Sequence, residues 1–300
     1  MSDILTRNPG ADDVPLLKNL WCTVFGDIGI DAFFRLFYQA GMCLVVEHNG
    51  SLAAMGYLIP SGDIKAVTDD AGNEIDTKCA MIYSVGTLHE YRGLGLGTII
   101  VNDLIKLAGN SGYDAVVLCP SEDGLFEYYN KRTELQDWFY ISESVCDKPP
   151  AGTPSVLPIE ISAYEYAAFR EKLLTEVVHI RQDEKFFEYQ LDLCNEFGGG
   201  LFRIGDSCAV VERQSDGIVW VKELLMHDKG NALHCGYIND AVCTNLLAPI
   251  ANLFPAEKYF VRTPALTGAG RRFGLLNLCG NVLEPSAKNK IAPWYGMAFD

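Results

Sequence analysis

A short glycine-rich segment is the part of this sequence whose residue types and spacing point most directly to chemistry. Residues 92–98 read Arg-Gly-Leu-Gly-Leu-Gly-Thr, so glycine alternates with leucine after a single arginine. Alternating glycines let the backbone approach a ligand closely, and free N–H groups at a helix start attract anions together with the helix dipole. The segment therefore predicts an anion site that suits a diphosphate group.

Two well-known phosphate-binding loops fit this segment poorly. A P-loop ends in Gly-Lys-Ser or Gly-Lys-Thr, whereas this segment continues as Gly97-Thr98-Ile99 without a lysine. A dinucleotide fingerprint needs Gly-x-Gly-x-x-Gly directly after its strand, but position 98 is threonine and five residues separate Thr87 from Gly93. The structural alternative is a tight turn that binds no ligand. The elements on either side of the segment distinguish the two interpretations.

The hydrophobic pattern predicts the elements that position the segment. Alternation over residues 79–87 predicts a strand, and apolar residues at helical spacing predict a helix over 97–108. Residues 114–119 predict a short strand buried in the middle of a sheet. Upstream, residues 12–38 read as helical, and His48-Asn49-Gly50 predicts the turn of a hairpin. The glycine segment thus lies between a strand and an amphipathic helix.

The pattern over residues 85–97 resembles the acetyl-coenzyme A loop of the GCN5-related N-acetyltransferase (GNAT) superfamily. Residues 118–132, which include Tyr128 and Tyr129, resemble the next strand and the tyrosine-bearing helix of that superfamily. The resemblance covers roughly residues 3–145 and is greatest to the multidomain enhanced-intracellular-survival acetyltransferases. The sequence departs from the usual pattern at His89, where proline is common, and at Thr133-Glu134, which replaces a Gly-Phe pair.

The resemblance implies an α+β fold with a twisted mixed sheet flanked by helices, followed by a second, degenerate domain of the same kind. Three prolines and a glycine in residues 147–154 predict the boundary, with domains at 1–147 and 155–300. The second half lacks an Arg-x-x-Gly-x-Gly motif, so it is expected to lack a cofactor loop. Its predicted helices are 164–174, 185–194 and 239–253, and its predicted strands are 200–204, 207–213, 218–225, 259–262 and 273–278.

The resemblance also implies acetyl-coenzyme A as co-substrate and assigns residues to it. The strand end at 85–87 would hold the pantetheine at a bulge, while Arg92 and the N–H groups of residues 93–98 would hold the diphosphate. Two residues after the next strand are expected to border the cofactor. The expected cofactor-binding residues are Val85, Gly86, Thr87, Arg92, Gly93, Leu94, Gly95, Leu96, Gly97, Thr98, Ser121 and Glu122.

Amide formation from a thioester needs an unprotonated amine, a site for the oxyanion and a proton for the departing thiolate. The resemblance makes Tyr129 the expected general acid, since a phenol remains protonated at neutral pH. Tyr128 stays open as the alternative, and simple packing is the structural alternative for either tyrosine. The resemblance further implies that a carboxylate of the last residue, Asp300, accepts a proton from the amine. Alternatively, the apolar run at 291–299 only forms a final strand that packs in a core.

The formal net charge is −15, which repels nucleic-acid phosphates and anionic lipid and favours cationic substrates. We therefore expect acetyl transfer to a primary amine, either of a small cationic molecule or of a peptide lysine, with no nucleic-acid or membrane partner. A non-catalytic acyl-coenzyme A sensor or scaffold is the alternative function. The sequence also allows a homo-oligomer.

Ten cysteines are scattered without a Cys-x-x-Cys pair, and the five histidines show no metal-ligand spacing. These features predict reduced, mostly buried thiols and no bound metal. The first residues lack the pattern of a signal peptide, and no apolar stretch approaches the ~18 residues of a membrane span. A cytoplasmic location is the corresponding expectation.

Overall fold

The computed structural model describes residues 3–68, 74–149, 156–215, 217–226, 233–236, 246–279, 284–285 and 290–299. The chain folds into two compact units. One consists of residues 1–64, 76–138 and 274–283, and the other consists of residues 65–75, 139–273 and 284–300. The predicted domain limits, 1–147 and 155–300, and the assignment of the second half as a degenerate copy stay predictions.

The described chain contains both helices and strands, in groups of one to three. The helices are α1 (Val14–Phe25), α2 (Ile30–Leu36), α3 (Leu96–Asn110), α4 (Asp123–Arg132), α5 (Ala163–Leu173), α6 (Glu184–Glu196) and α7 (Ala248–Leu253). The strands are β1 (Ile4–Arg7), β2 (Cys43–His48), β3 (Ser51–Thr68), β4 (Glu74–Thr87), β5 (Ala115–Leu118), β6 (Gln136–Asp147), β7 (Ile159–Glu160), β8 (His179–Arg181), β9 (Gly200–Ile204), β10 (Ser207–Ser215), β11 (Ile218–Leu225), β12 (Lys258–Pro264), β13 (Arg271–Leu278) and β14 (Glu284–Pro285).

The first unit is built on a mixed sheet with the order β1-β2-β3-β4-β5-β13. Strands β1 and β2, β2 and β3, and β5 and β13 pair antiparallel, whereas β4 and β5 pair parallel. The parallel register runs from Cys79 opposite Ala115 to Ile82 opposite Leu118. The predicted α+β class, with a mixed sheet and flanking helices, is confirmed.

The predicted hairpin of the first unit is confirmed, but its first predicted helix is interrupted. Asn49 and Gly50 have φ values of 51° and 78°, the left-handed conformation that a tight two-residue hairpin turn requires. The helical region predicted over 12–38 consists of α1 and α2. Gly26 and Gly29, with φ values of 86° and 68°, separate the two helices. Their backbone conformation cannot continue an α-helix.

Helix α3 lies directly against the sheet, as its amphipathic pattern predicts. Its buried residues include Ile100 and Leu104, one turn apart on the helix face that meets the strands. A Cβ on Gly56 of β3 would lie only 2.5 Å from Ile100 Cγ2 and 3.0 Å from Leu104 Cδ1. The close approach of helix and strand therefore requires a glycine at position 56. This contact fixes the height of the helix over the sheet.

The second unit contains strands in the order β6-β12-β11-β10-β9-β7. Here too a series of antiparallel pairs is combined with one parallel pair, which β11 and β12 form through four residue pairs. Predicted helices 164–174 and 185–194 correspond to α5 and α6. Only the end of the helix predicted over 239–253 is described, as α7, because residues 237–245 lie outside the described residues.

Most of the apolar chain end, residues 291–299, is buried in the second unit around an ion pair. Arg170 Nε donates to both oxygens of Glu223 at 2.9 and 3.0 Å, and both side chains are fully buried. Trp294 Nε1 donates to the same carboxylate at 2.8 Å, and the carbonyl of Tyr295 accepts from Arg170 at 3.0 Å. Among the described residues, the segment forms isolated bridges and no regular strand.

None of the helices in the described part of the chain has both the length and the hydropathy that a membrane-spanning helix needs. Nine cysteines fall in this part of the chain, and none of these nine forms a disulfide bond. The prediction that most cysteines are buried is too strong, because four are buried, four are half-buried and Cys22 is exposed.

Candidate active site

The last residues of β4 leave the parallel ladder. Pairing with β5 stops at Ile82 and Leu118, and Ser84 two residues later has a φ of 48°. A left-handed serine inside a strand is uncommon and turns the chain locally. Residues 85–87 therefore form a splayed strand end that extends past the last residue of β5. The amino-acid sequence around Ser84 carries no signal for this conformation.

Successive residues of the splayed strand contact different layers. Val85 packs against the core cluster that includes α3. Gly86 faces the other side, where a Cβ would lie 3.2 Å from Phe25 Cε2 and 3.3 Å from Leu20 Cδ2 of α1. Thr87 is half-buried, and its carbonyl accepts a hydrogen bond from Arg92 Nε at 3.3 Å. The strand end is thus held between α1 and α3, with Arg92 folded back over it.

The glycine-rich segment forms the start of α3. Gly93 and Gly95 have φ values of 82° and 78°, and Gly95 is the residue that caps the helix. None of the described residues accepts a hydrogen bond from the N–H groups of residues 93–98. Leu96 is buried and anchors the segment, whereas Leu94 is exposed. The result is an open row of amide donors at the positive end of a 15-residue helix dipole.

Helix α4 brings a tyrosine to this row of amides. The hydroxyl of Tyr128 lies 2.6 Å from Thr98 Oγ1, within hydrogen-bond distance. The Tyr128 ring meets the Tyr129 ring edge-on at a centroid distance of 5.2 Å, and the Arg132 guanidinium lies 4.4 Å from the centroid of the Tyr128 ring. Tyr128 is therefore fixed on three sides, one of which is the glycine-rich segment.

Tyr129 lies in a different environment from its neighbour. It is buried in the hydrophobic cluster between α3, α4 and the sheet, with 8% of its surface exposed. Burial raises the pKa of Tyr129 to about 12, and the adjacent Tyr128 contributes in the same direction. None of the described residues forms a hydrogen bond with its hydroxyl. The hydroxyl proton is thus retained throughout the physiological pH range.

Thr133 explains how α4 ends without the usual glycine. Its N–H and its hydroxyl both donate to the carbonyl of Tyr129, at 2.9 and 2.8 Å, and its backbone is extended. Two donors on one carbonyl satisfy the helix end without a left-handed residue. Leu135 then enters the core, fully buried. The replacement of the usual Gly-Phe pair therefore leaves the tyrosine helix intact.

The remaining predicted site residues lie at the edge of this region or outside the described chain. Ser121 and Glu122 are exposed and follow the end of β5, where Glu122 caps the start of α4 with its backbone only. Among the described residues, no hydrogen bond joins either side chain to the glycine-rich segment. Asp300, the predicted proton acceptor, lies outside the described residues. The roles of all these residues stay predictions.

Comparison with known proteins agrees with this arrangement. Residues 15–131 match the family model described as the acetyltransferase (GNAT) family. A GCN5-related N-acetyltransferase from Kribbella flavida is 15% identical, with a TM-score of 0.62 over 92% of this chain and 71% of that chain. A GCN5-related N-acetyltransferase from Anabaena variabilis is 13% identical, with a TM-score of 0.64 over 93% of this chain and 73% of that chain.

Eis1 from Mycobacterium abscessus is 12% identical, with a TM-score of 0.56 over 93% of this chain and 74% of that chain. Identities this low show a shared fold and nothing finer. None of the curated proteins matches the sequence significantly. The matched family model spans the splayed strand, the row of amides and both tyrosines, so residues 15–131 form an acetyltransferase domain of the GNAT family.

Proposed function

We propose that this protein transfers the acetyl group of acetyl-coenzyme A to a primary amine of a small cationic molecule or a lysine side chain. The observation that carries the proposal is the row of N–H groups at residues 93–98, beside the splayed end of β4, for which none of the described residues is an acceptor. A diphosphate accepts hydrogen bonds only, and it needs such donors and a positive helix end to enter a protein with a net charge of −15.

Each step of the reaction has a candidate group in this chain. Arg92 and the amides of residues 93–98 bind the diphosphate, and residues 85–87 bind the pantetheine through their backbone. A backbone N–H of the splayed strand stabilises the oxyanion of the tetrahedral intermediate. Tyr129 then donates a proton or a strong hydrogen bond to the departing thiolate. Its raised pKa, about 12, keeps that proton available at any ordinary assay pH.

Tyr129 is preferred to Tyr128 on geometric grounds. The hydroxyl of Tyr128 is occupied by Thr98 at the amide row, where the diphosphate binds, whereas the thioester lies at the other end of the pantetheine. For the amine proton, Asp300 is the acceptor that the family resemblance implies. Deleting Asp300, or extending the chain beyond it with a short polar tag, tests this role by turnover and melting temperature. Full activity of the extended chain contradicts it.

The proposal is tested with the purified protein, acetyl-coenzyme A and a panel of polyamines, aminoglycosides and lysine peptides. Acetylated products are detected by mass spectrometry, because the exposed Cys22 thiol interferes with thiol-reactive dyes. Tyr129→Phe is expected to lower kcat roughly 10²-fold while coenzyme A affinity is unchanged. Tyr128→Phe is the matched control, and its kcat at saturating acetyl-coenzyme A is expected to stay within a few-fold of the parental value. Tight coenzyme A binding without turnover of any amine would instead favour the sensor or scaffold.

A further inference from the structure

Hydrogen bonds join α3 to α4 on two successive turns in the first unit. The first joins Thr98 Oγ1 and the Tyr128 hydroxyl, 2.6 Å apart. In the second, Asn102 Nδ2 donates to the carbonyl of Arg132 at 3.3 Å. Residues 98 and 102 are one helical turn apart, as are residues 128 and 132, so the bonds lie on successive turns of both helices. Only the first bond involves a residue of the amide row.

The hydroxyl of Thr98 can serve two partners at once. A threonine hydroxyl has one proton to donate and two lone pairs that accept. A phosphate oxygen only accepts, so a diphosphate on the amide row takes the Thr98 proton. Tyr128 must then be the donor in the 2.6 Å bond, which suits a phenol because it is more acidic than an aliphatic alcohol. Each donor in such a chain strengthens the next bond.

We propose that Tyr128 is a positioning residue, which couples diphosphate binding at Thr98 to the placement of α4 and of its neighbour Tyr129. The inference rests on the proposed function, because it takes the amide row to be the diphosphate site. In this role Tyr128 acts through Thr98 on one side and through α4 on the other.

The packing of Tyr128 makes it suitable for this role. Its ring is held edge-on against Tyr129 at 5.2 Å and lies under the Arg132 guanidinium at 4.4 Å. The ring is therefore fixed by contacts that Tyr128→Phe retains, and that substitution removes the hydroxyl alone. When the diphosphate orders Thr98, the bond to Tyr128 holds the turn of α4 that carries both tyrosines. An acetyl donor that lacks the diphosphate cannot order Thr98 in this way.

The test compares Tyr128→Phe, Thr98→Val and the double variant with the parent. Coenzyme A affinity is measured by calorimetry, and kcat/KM is measured with acetyl-coenzyme A and with S-acetylpantetheine, which lacks the diphosphate. Tyr128→Phe removes one hydrogen bond. It is expected to lower both the affinity for coenzyme A and kcat/KM for acetyl-coenzyme A roughly three- to tenfold. With S-acetylpantetheine, kcat/KM is expected to change less than about twofold. The double variant is expected to lose no more than Thr98→Val alone.

Two further variants separate positioning from general loosening of the helix pair. Thr98→Ser retains the hydroxyl and is expected to restore parental affinity. Asn102→Ala removes the bond to the Arg132 carbonyl, and it is expected to leave the ratio of kcat/KM values for the two acetyl donors unchanged. A merely structural Tyr128 would alter that ratio no more than Asn102→Ala does.

The possible outcomes distinguish this inference from the proposed function. If the parent binds no coenzyme A, both are overturned. If the parent binds coenzyme A, but the losses in Tyr128→Phe and Thr98→Val multiply in the double variant, the inference alone is overturned. Equal losses with both donors in Tyr128→Phe also overturn it, because the coupling would then be independent of the diphosphate.

Discussion

A substitution at Gly97 tests the diphosphate site without disturbing the protein around it. Gly97 is in the first turn of α3 with an ordinary helical φ, and an added Cβ would meet no atom within 4 Å. Gly95 is a poorer choice, because its φ of 78° makes any side chain strained whether or not a ligand binds. Gly97→Ala and Gly97→Val should therefore affect a ligand on the amide row rather than the fold.

The expected changes in stability and in coenzyme A affinity follow from helix propensity and from the hydrogen bonds that the diphosphate would lose. Alanine in place of a helical glycine stabilises by roughly 0.5–1 kcal/mol, so Gly97→Ala should unfold at the parental temperature or slightly above. A Cβ on the ligand side displaces the diphosphate from at least one charge-assisted N–H bond, worth about 1.5–3 kcal/mol. Coenzyme A affinity should fall about 10- to 100-fold. Valine, with its larger side chain, should lower affinity further.

Gly109→Ala is the matched control in the same helix. The added Cβ would lie 3.8 Å from Cys279 Cβ, an ordinary contact, and position 109 is about 18 Å along the helix from position 97. It should give the same gain in stability with unchanged affinity in calorimetry. If folded Gly97→Val binds coenzyme A as tightly as Gly109→Ala and the parent do, the amide row is not the diphosphate site and the reasoning fails.

Three further predictions concern titration and buried charge. Because the pKa of Tyr129 is raised to about 12, kcat at saturating amine should not fall between pH 7 and 10, and a decline centred near pH 10 would show an ordinary phenol. Burial raises the pKa of the Cys79 and Cys208 thiols, so the unfolded chain releases protons that the folded chain retains. The free energy of unfolding in urea with reductant should therefore decrease above about pH 9, and a constant midpoint at pH 7.5, 9 and 10 contradicts this. Arg170→Met leaves the Glu223 carboxylate buried without its cation, which should cost about 3–5 kcal/mol, and a loss below about 1 kcal/mol in chemical denaturation would refute the assigned role of the pair.

Local patterns in the sequence were sufficient for the elements that carry the loop. The helix predicted over 97–108 is observed as α3, because its apolar residues recur at helical spacing and its start is marked by glycine. The hairpin at Asn49-Gly50 was equally predictable, since this dipeptide favours the left-handed turn. In both cases the decisive interactions are between residues close in sequence.

Features that depend on distant residues were not predictable in the same way. The left-handed Ser84 has no local signal, because serine adopts that conformation only when the surrounding structure imposes it. The tight packing at Gly86 comes from α1, about 60 residues earlier in the chain, because a Cβ there would lie 3.2 Å from Phe25 Cε2 and 3.3 Å from Leu20 Cδ2. The anchoring of Trp294 by Glu223 is likewise a contact between residues 71 positions apart.

The two adjacent tyrosines show why the sequence left the general acid open. Both follow the same helical pattern, but consecutive residues on an α-helix point about 100° apart, so one of them must face a different neighbour from the other. In the structure Tyr128 faces α3, where its hydroxyl is within hydrogen-bond distance of Thr98. Tyr129 faces the core, where burial raises its pKa. The two candidates therefore differ in environment although they are the same residue type, and this difference supports the proposal for Tyr129. The proposed proton donor at the thioester and the proposed positioning group at the diphosphate need different surroundings, and neighbouring residues of α4 have such different surroundings.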